Sequence, residues 1–407
     1  MSADGWGALA GLRVIDLTQM LAGPFCTMLL ADQGAEVIKV EPPDGDQTRR
    51  AGMHLAGDEE RLFGGYFQSI NRNKKSIAID LKTEDGKAIL HNLVTDADVL
   101  VENFRAGTME GLGLSYESLA EINPRLVYAT IRGFGDPRTG ASPYADWPAF
   151  DVVAQAMGGI MSITGPEPDR PMKVGPGVGD TVPAMLLTIG ILSAVHHAGR
   201  TGQGQFVDVA MYDGILALCE RIVHQHSYGG VVPGPEGNAH PLLCPFGMFP
   251  AKDGWISIAC PRDHFWVILT EIMGRPELGT DPHYLENVDR SARNDEVVAI
   301  VSDWTRELTK AELIELLGGK VPFGPVNTVA DIVSDPHVEA RHMLAEVSHP
   351  GNEHTVKIAN TPIHMNKTQG GVHRRTPTLS QDADDVLAAA GYDAAEIARL
   401  RESGVII

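Results

Sequence analysis

Short, dense aliphatic runs alternate with stretches of helical spacing through the first third of the chain. Residues 12–17 (Leu-Arg-Val-Ile-Asp-Leu), 36–40, 76–81, 98–101 and 126–131 read as strands. Between them, 25–32 follows Gly23-Pro24 as a short helix, and 84–94 places Ile89, Leu90 and Leu93 on one helical side. Aliphatic strands without strict alternation, separated by helices, predict a parallel sheet covered on both faces. A long apolar run follows at 182–195, opened by the turn Gly175-Pro176-Gly177-Val178-Gly179-Asp180, and reads as a buried helix. Then come a Gly-Gln-Gly-Gln turn at 202–205, a strand at 206–210 and a helix at 212–225.

The pattern changes at 229–245, where glycine and proline cluster and predict a linker or mobile loop. A smaller α/β unit follows, with a strand at 255–259 and helices near 263–273, 294–307 and 310–317. Residues 321–326 read as a crossover back to a strand at 355–358, and 384–400 has helical spacing. The expected fold is therefore α/β, a Rossmann-like doubly wound large domain plus a smaller α/β domain.

Composition narrows the chemistry. The 53 acidic and 33 basic residues leave a net charge of −20, which repels phosphate backbones and makes nucleic acid an unexpected partner. Cys26, Cys219, Cys244 and Cys260 form no Cys-x-x-Cys pair, so neither a zinc site nor a disulfide framework is expected, and free thiols suit a reducing cytoplasm. Met1 to Trp6 holds no basic run before an apolar core, so no signal peptide is expected. The 182–195 run is too short for a bilayer, so no membrane is expected either. The turn after the first strand lacks Gly-x-Gly-x-x-Gly, and no Gly-Lys-Ser/Thr loop or Gly-x-Ser-x-Gly elbow occurs. Nicotinamide enzymes, NTPases and triad hydrolases are disfavoured. The histidines show no metal-ligand register.

Asp180 is the candidate that remains. It stands at the mouth of the long apolar helix, among glycine amides able to stabilise an oxyanion, where a desolvated carboxylate can act as a nucleophile. The same position also suits a helix N-cap. Lys74 and Lys75 read either as a solvated strand entrance or as a phosphate patch.

Five segments carry a resemblance: Gly11-Leu12-Arg13-Val14-Ile15-Asp16-Leu17 to Ala22-Gly23-Pro24; Gly34-Ala35-Glu36-Val37-Ile38-Lys39-Val40-Glu41; Asn71-Arg72-Asn73-Lys74-Lys75-Ser76-Ile77 to Asp80-Leu81-Lys82; Ala97 to Arg105; and Gly202-Gln203-Gly204-Gln205 to Asp208-Val209. In this order, with Gly179-Asp180 between the last two, the chain resembles the family III CoA-transferases, the superfamily of formyl-CoA and carnitine CoA-transferases and α-methylacyl-CoA racemase. The resemblance implies that Asp180 is the nucleophile, forming aspartyl mixed-anhydride and aspartyl-CoA thioester intermediates. Leu21, Ala22, Ile79, Lys82, Asn103 and Arg105 would contact CoA, and Phe150 and Asp151 would lie beside its acyl end. Residues alone give Asp151 a second reading, as a cap for the helix that follows it. No permanently bound cofactor and no metal are implied; CoA and acyl-CoA are substrates. The resemblance also implies an interlocked homodimer of rings. The large domain would be 1–212 with 340–407, the linker 213–239, the small domain 240–320 and the return linker 321–339.

The chain departs from the family at two places. Gly237-Asn238-Ala239 runs into His240-Pro241 instead of a glycine flap, which argues against formyl-CoA, and Ser380-Gln381-Asp382 replaces a Gly-Glu-His or Gly-Glu-Gln signature. Succinyl-CoA is the expected type of donor, with Arg49, Arg50, Arg72 and His240 as candidates to read a distal carboxylate. The alternatives are a racemase, disfavoured because Phe150 stands where a proton-carrying His is needed, and a non-catalytic acyl-CoA binder in which Asp180 only caps its helix.

Overall fold

The computed structural model describes residues 6–59, 61, 63–167, 169–350 and 353–407. Met1 to Gly5, part of the segment read for a signal peptide, lie outside the described residues. The chain divides into two units, one of 1–160, 174–224 and 337–407, the other of 161–173 and 225–336. The division points after 224 and 336 lie inside the segments expected as linkers, whereas the excursion at 161–173 was not expected.

The first unit is built on β1 (Arg13–Asp16), β2 (Glu36–Glu41), β3 (Lys75–Ala78), β4 (Val99–Glu102), β5 (Val127–Arg132) and β6 (Phe206–Ala210), all parallel, in the order β3-β2-β1-β4-β5-β6. This is the doubly wound order predicted for the large domain, and it reverses direction between β1 and β4. Its helices are α1 (Ala22–Asp32), α2 (Gly65–Ile70), α3 (Glu84–Thr95), α4 (Thr108–Gly111), α5 (Tyr116–Ile122), α6 (Asp151–Met157), α7 (Val178–Thr201) and α8 (Met211–Leu218). Ile15, Ile38, Ile77 and Leu100 from the strands pack with Ile89, Leu90 and Leu93 of α3 in one core. The helix read at 212–225 is two: it breaks at Cys219, and α9 (Glu220–Gly229) follows.

The second unit holds the antiparallel sheet β7 (Phe246–Ala251), β8 (Gly254–Ala259) and β9 (Phe323–Pro325), with helices at Asp263–Ile272, Asn294–Thr305 and Lys310–Leu317. Its core gathers Phe249, Ile256, Ile258, Trp266, Leu269 and Val301. The segment read as a crossover at 321–326 is instead the third strand of this sheet. Later, β10 (Leu344–Ser348) and β11 (Thr355–Ala359) form a hairpin, and the terminal spacing resolves into helices at Ala383–Ala389 and Ala394–Glu402.

Two other expectations change. The Asp180 helix, α7, runs 24 residues, longer than its apolar run, and among the described residues it alone has the length and apolarity of a membrane span. It is nevertheless packed into the first unit against α1, α6, α8, β5 and β6. It is also not wholly buried: Met185, Leu186, Ile189 and Leu192 form an exposed apolar stripe along it.

Charged residues inside the sheet are explained by pairing. Asp16, Lys39 and Ser76 stand in register across β1, β2 and β3. Lys74 is fully buried and donates to Asp16 Oδ2 (2.9 Å), Asn71 Oδ1 (2.8 Å) and the carbonyl of Pro24 (3.0 Å). It is therefore neither a solvated entrance nor a phosphate patch; Lys75 beside it is half-exposed and pairs with Glu36. Lys39 reaches Asp46 (3.0 Å) and the carbonyl of Thr18 (2.7 Å). Burial alone would raise Asp16, but the charges of Lys74 and Lys39 and the hydroxyls of Thr18 and Thr27 bring it down to about 2. Replacing Lys74 by Met strands a buried carboxylate, so Lys74→Met should cost about 3–5 kcal/mol in urea unfolding. A loss below about 1 kcal/mol would show that Lys39 alone suffices for Asp16.

Candidate active site

The carboxyl ends of β1 and β4 diverge at the point where the strand order reverses, and a cleft of about 520 Å³ opens there, lined only by residues of the first unit. That volume lies in the range of small-molecule sites. Its walls are the turn at 19–22 after β1, the turn at 103–106 after β4, the segment 145–151 and Asp180.

Both turns are anchored from below. Lys39 and Lys74 hold the carbonyls of Thr18 and Pro24, as described. Under the other turn, Arg132 bonds Glu102 Oε1 (2.6 Å) and the carbonyl of Phe104 (3.1 Å) and pairs with Asp136. The two turns are then clasped together: the Asn103 side chain donates to the Gln19 carbonyl (2.7 Å) and accepts from the Gln19 N–H (2.8 Å). Next to this clasp Met20 takes a left-handed backbone, φ 69°, a conformation costly for a side-chain-bearing residue and typical of functional turns. The N–H groups of Leu21 and Ala22, at the start of α1, meet no acceptor among the described residues, and no side chain caps the helix.

Asp180 enters from the start of α7. The cap position is Gly177, without a side-chain cap bond, and Asp180 is the third residue of the helix. The capping reading thus fails, and its carboxylate accepts no hydrogen bond among the described residues. Of the expected oxyanion donors, the Gly175 and Gly177 N–H groups meet no acceptor among the described residues, whereas the neighbouring amides are engaged. The N–H groups of Val178, Asp180 and Thr181 bond Pro176 and Gly177 carbonyls, and that of Gly179 donates to Asp151 Oδ1 at 2.7 Å. Asp151, the first residue of α6, therefore reaches across to the start of α7; Gln155 Nε2 bonds both its oxygens (2.9 and 3.0 Å). Burial, and secondarily the charge of Asp151, push Asp180 up to about 7. Tyr66 on α2 shares the cleft, its hydroxyl raised by burial and then by Asp180, Asp46 and Asp151.

The sequence candidates separate accordingly. Leu21, Ala22, Asn103, Arg105, Phe150, Asp151 and Asp180 all line the cleft. Asn103 does so with its amide engaged on Gln19, and Phe150 is 63% exposed. Ile79 and Lys82 are outside the lining: Ile79 is buried and bridges Ile406, and Lys82 is exposed beyond β3. Arg49 and Arg72 cannot read a substrate carboxylate, because both are buried in ion pairs. Arg49 bonds both oxygens of Glu41 (2.7 Å each), and Arg72 both of Asp32 (3.0 and 2.6 Å). His240 belongs to the second unit, where its Nδ1 accepts from the Leu242 N–H at 3.1 Å. Gln19, Met20, Tyr66, Gln155 and Arg132 were not singled out from sequence. Gln19 and Met20 lie in the turn after the first strand, between Leu17 and Ala22, while nothing local marked Tyr66 or Gln155. Among the described residues no group of His, Cys, Asp or Glu side chains is arranged to hold a metal.

With this geometry in place, comparison with known proteins identifies relatives. The profile of CoA-transferase family III matches residues 9–383. The succinyl-CoA:mesaconate CoA-transferase of Haloarcula marismortui is 48% identical over 387 residues, 95% of this chain and 97% of that protein. The acetyl-CoA:oxalate CoA-transferase of Acetobacter aceti is 43% identical over 359 residues, 87% and 90% of the two chains. The crystal structure of a CaiB/BaiF family protein from Brucella suis superposes with a TM-score of 0.84 at 35% identity, covering 95% of this chain and all of that one.

A carboxyl that binds its proton up to about pH 7 when folded, against 3.8 unfolded, holds that proton more tightly in the native state. Native stability then falls as pH rises from 3.8 to about 7 and stays reduced above it. Asp180→Asn escapes this loss, so its melting temperature should exceed the wild type's at pH 8, with the gap closing by pH 4. An equal gap at both pH values would mean that Asp180 titrates normally.

Proposed function

The chain belongs to CoA-transferase family III and is an acyl-CoA:carboxylate CoA-transferase, and we propose that it transfers CoA from a succinyl-CoA-type donor to a small organic acid through covalent intermediates on Asp180. The observation that carries this reading is the Asp180 carboxyl itself: in the cleft, not capping its helix, without an ion pair among the described residues, and raised to about 7.

In the first step an Asp180 oxygen attacks the thioester carbonyl carbon. The carbon–sulfur bond breaks, leaving an aspartyl–acyl anhydride and CoA thiolate. The thiolate attacks Cγ of Asp180, the donor acid leaves as its carboxylate, and an aspartyl-CoA thioester remains. An acceptor carboxylate displaces the thiolate through a second anhydride, and the thiolate takes the acceptor's acyl group, freeing Asp180. Each exchange is split into easier acyl transfers. The unengaged N–H groups of Leu21 and Ala22, together with those of Gly175 and Gly177, supply oxyanion donors. Arg105, exposed at the cleft and without an acidic partner among the described residues, takes a CoA phosphate. The succinyl-type donor rests on the Haloarcula relative's name and on the missing glycine flap. The exposed stripe on α7 supports the homodimer, because an apolar face of that kind calls for a partner surface.

The racemase alternative needs a proton carrier on each face of the α-carbon. Phe150 cannot supply one, and no histidine is among the residues lining the cleft.

Mixing the protein with succinyl-CoA should give a CoA adduct by intact mass, removed by hydroxylamine and mapping to Asp180. Asp180→Asn should give no adduct and lose about 10³-fold or more in kcat. Because only the ionised carboxylate attacks, kcat/KM should rise with pH through about 7. Turnover surviving in Asp180→Asn removes the nucleophile assignment. Activity with aliphatic monocarboxylates but none with dicarboxylates removes the donor class.

A further inference from the structure

We infer that Asp151 is a positioning residue whose charge drives the covalent chemistry: it pins the first turn of α7 and holds a second carboxylate beside the nucleophile, so that acylated Asp180 is favoured over the free carboxylate. The inference rests on the reading of Asp180 as nucleophile.

The brace is built from both sides. Asp151 Oδ1 accepts from the N–H of Gly179, the residue before the nucleophile, at 2.7 Å. Gln155, fully buried, bonds both Asp151 oxygens, and its Oε1 accepts from the Val174 N–H at 3.0 Å, tying the approach to α7 into the same group. Position 179 has no room for a side chain: a Cβ there would lie 2.4 Å from the Asp151 carbonyl oxygen and 2.9 Å from its Oδ1.

The charge pattern is the second observation. Elsewhere in this unit, buried acids meet cations: Asp16 with Lys74, Asp32 with Arg72, Glu41 with Arg49, Glu102 with Arg132. Asp151 and Asp180 share the cleft with no cation on either among the described residues. The other titratable or charged groups lining the cleft are Tyr66 on α2, Arg105 after β4, Arg132 on β5 and Asp146, and the elements packed on α7 also carry Cys26 on α1, Asp208 on β6, and Tyr212 and Asp213 on α8. Of all these, Asp151 alone adds to burial in raising Asp180.

Repulsion between two carboxylates is relieved whenever one becomes neutral. Protonation neutralises Asp180, and so do the acyl anhydride and the CoA thioester. The interaction that makes Asp180 hold its proton therefore also raises the free carboxylate relative to the covalent forms. In the first step the negative charge leaves the Asp151–Asp180 pair and appears on the CoA sulfur as the carbon–sulfur bond breaks.

Asp151→Asn removes the charge while its amide oxygen keeps the bonds from Gly179 and Gln155 to Oδ1, giving up only the second Gln155 bond. With succinyl-CoA, the pH midpoint of adduct formation should fall by about half a unit or more, and the ratio of adduct to free enzyme at pH 8 should fall about threefold or more. Gln155→Leu, which keeps both charges and loosens the brace, should slow adduct formation without moving the midpoint. An Asp151→Asn enzyme with the wild-type midpoint and adduct ratio overturns the inference, as does an equal midpoint shift in Gln155→Leu. If the Asn variant does not fold, Asp151→Ser is read by the same criteria. An absent wild-type adduct, or an adduct on Asp180→Asn, would fault the nucleophile reading instead.

Discussion

The cleft depends on two sets of buried charge lying under the ends of the strands. Parallel strands deliver their connecting turns to one edge of the sheet, and at the reversal between β1 and β4 those turns diverge. Left alone, their carbonyls would face a dry interior unpaired. Lys39 and Lys74 meet this need on one side by reaching the carbonyls of Thr18 and Pro24, and Arg132 on the other by reaching that of Phe104. The cations are themselves balanced by Asp16, Asp46, Glu102 and Asp136. Such clusters are weak as net stabilisers, but breaking one is costly, so they fix a geometry more than they deepen a well. The Asn103–Gln19 clasp then locks one turn to the other.

How much of this could be read in the sequence follows from the range of each interaction. Strands buried on both faces announce themselves as aliphatic runs, so the parallel sheet was legible from residues 12–131. Asp180 was legible because a glycine-rich turn, a carboxylate and an apolar run are contiguous. Its bonding was not: a preferred capping residue at a helix mouth is read as a cap, and one turn of added helix moves the cap to Gly177 and leaves the Asp180 carboxylate without a hydrogen bond among the described residues. Likewise the glycine amides looked free until Asp151, 28 residues away, claimed that of Gly179.

The cations show the same limit from the other direction. Arg49, Arg72 and Lys74 sit in polar segments, where the arginines read as ligand-binding charges and Lys74 as either a phosphate patch or a solvated strand entrance. Their acidic partners are at 41, 32 and 16, and nothing local pairs them. The third motif is thereby reassigned in substance: Asn71, Arg72, Asn73 and Lys74 join α1, α2 and the residue 371–374 segment through side-chain bonds. A motif can identify a family while its residues do architectural work. The short antiparallel strands of the second unit were partly missed for a related reason. Residues 323–325 contain Gly324 and Pro325, which signal a turn locally and are tolerated only because β9 lies at a sheet edge.

The distribution of charge gives the cleft its chemistry. A fold that matches its buried acids with lysines and arginines is capable of doing so beside Asp180, and a cation there would make the free carboxylate comfortable. For the chemistry proposed on Asp180 a comfortable carboxylate would be a poor nucleophile, because both anhydride and thioester formation would require it to surrender that charge and with it the ion pair. With no cation on Asp180 among the described residues the balance reverses: the free carboxylate is the unfavourable state, and the neutral state, protonated or, in the proposed mechanism, acylated, is the relieved one. The cost appears as a raised affinity for protons and lower native stability above neutral pH, which the anchored turns beneath the cleft are placed to tolerate. On the proposed mechanism, catalytic competence and lower stability above neutral pH would share one electrostatic origin.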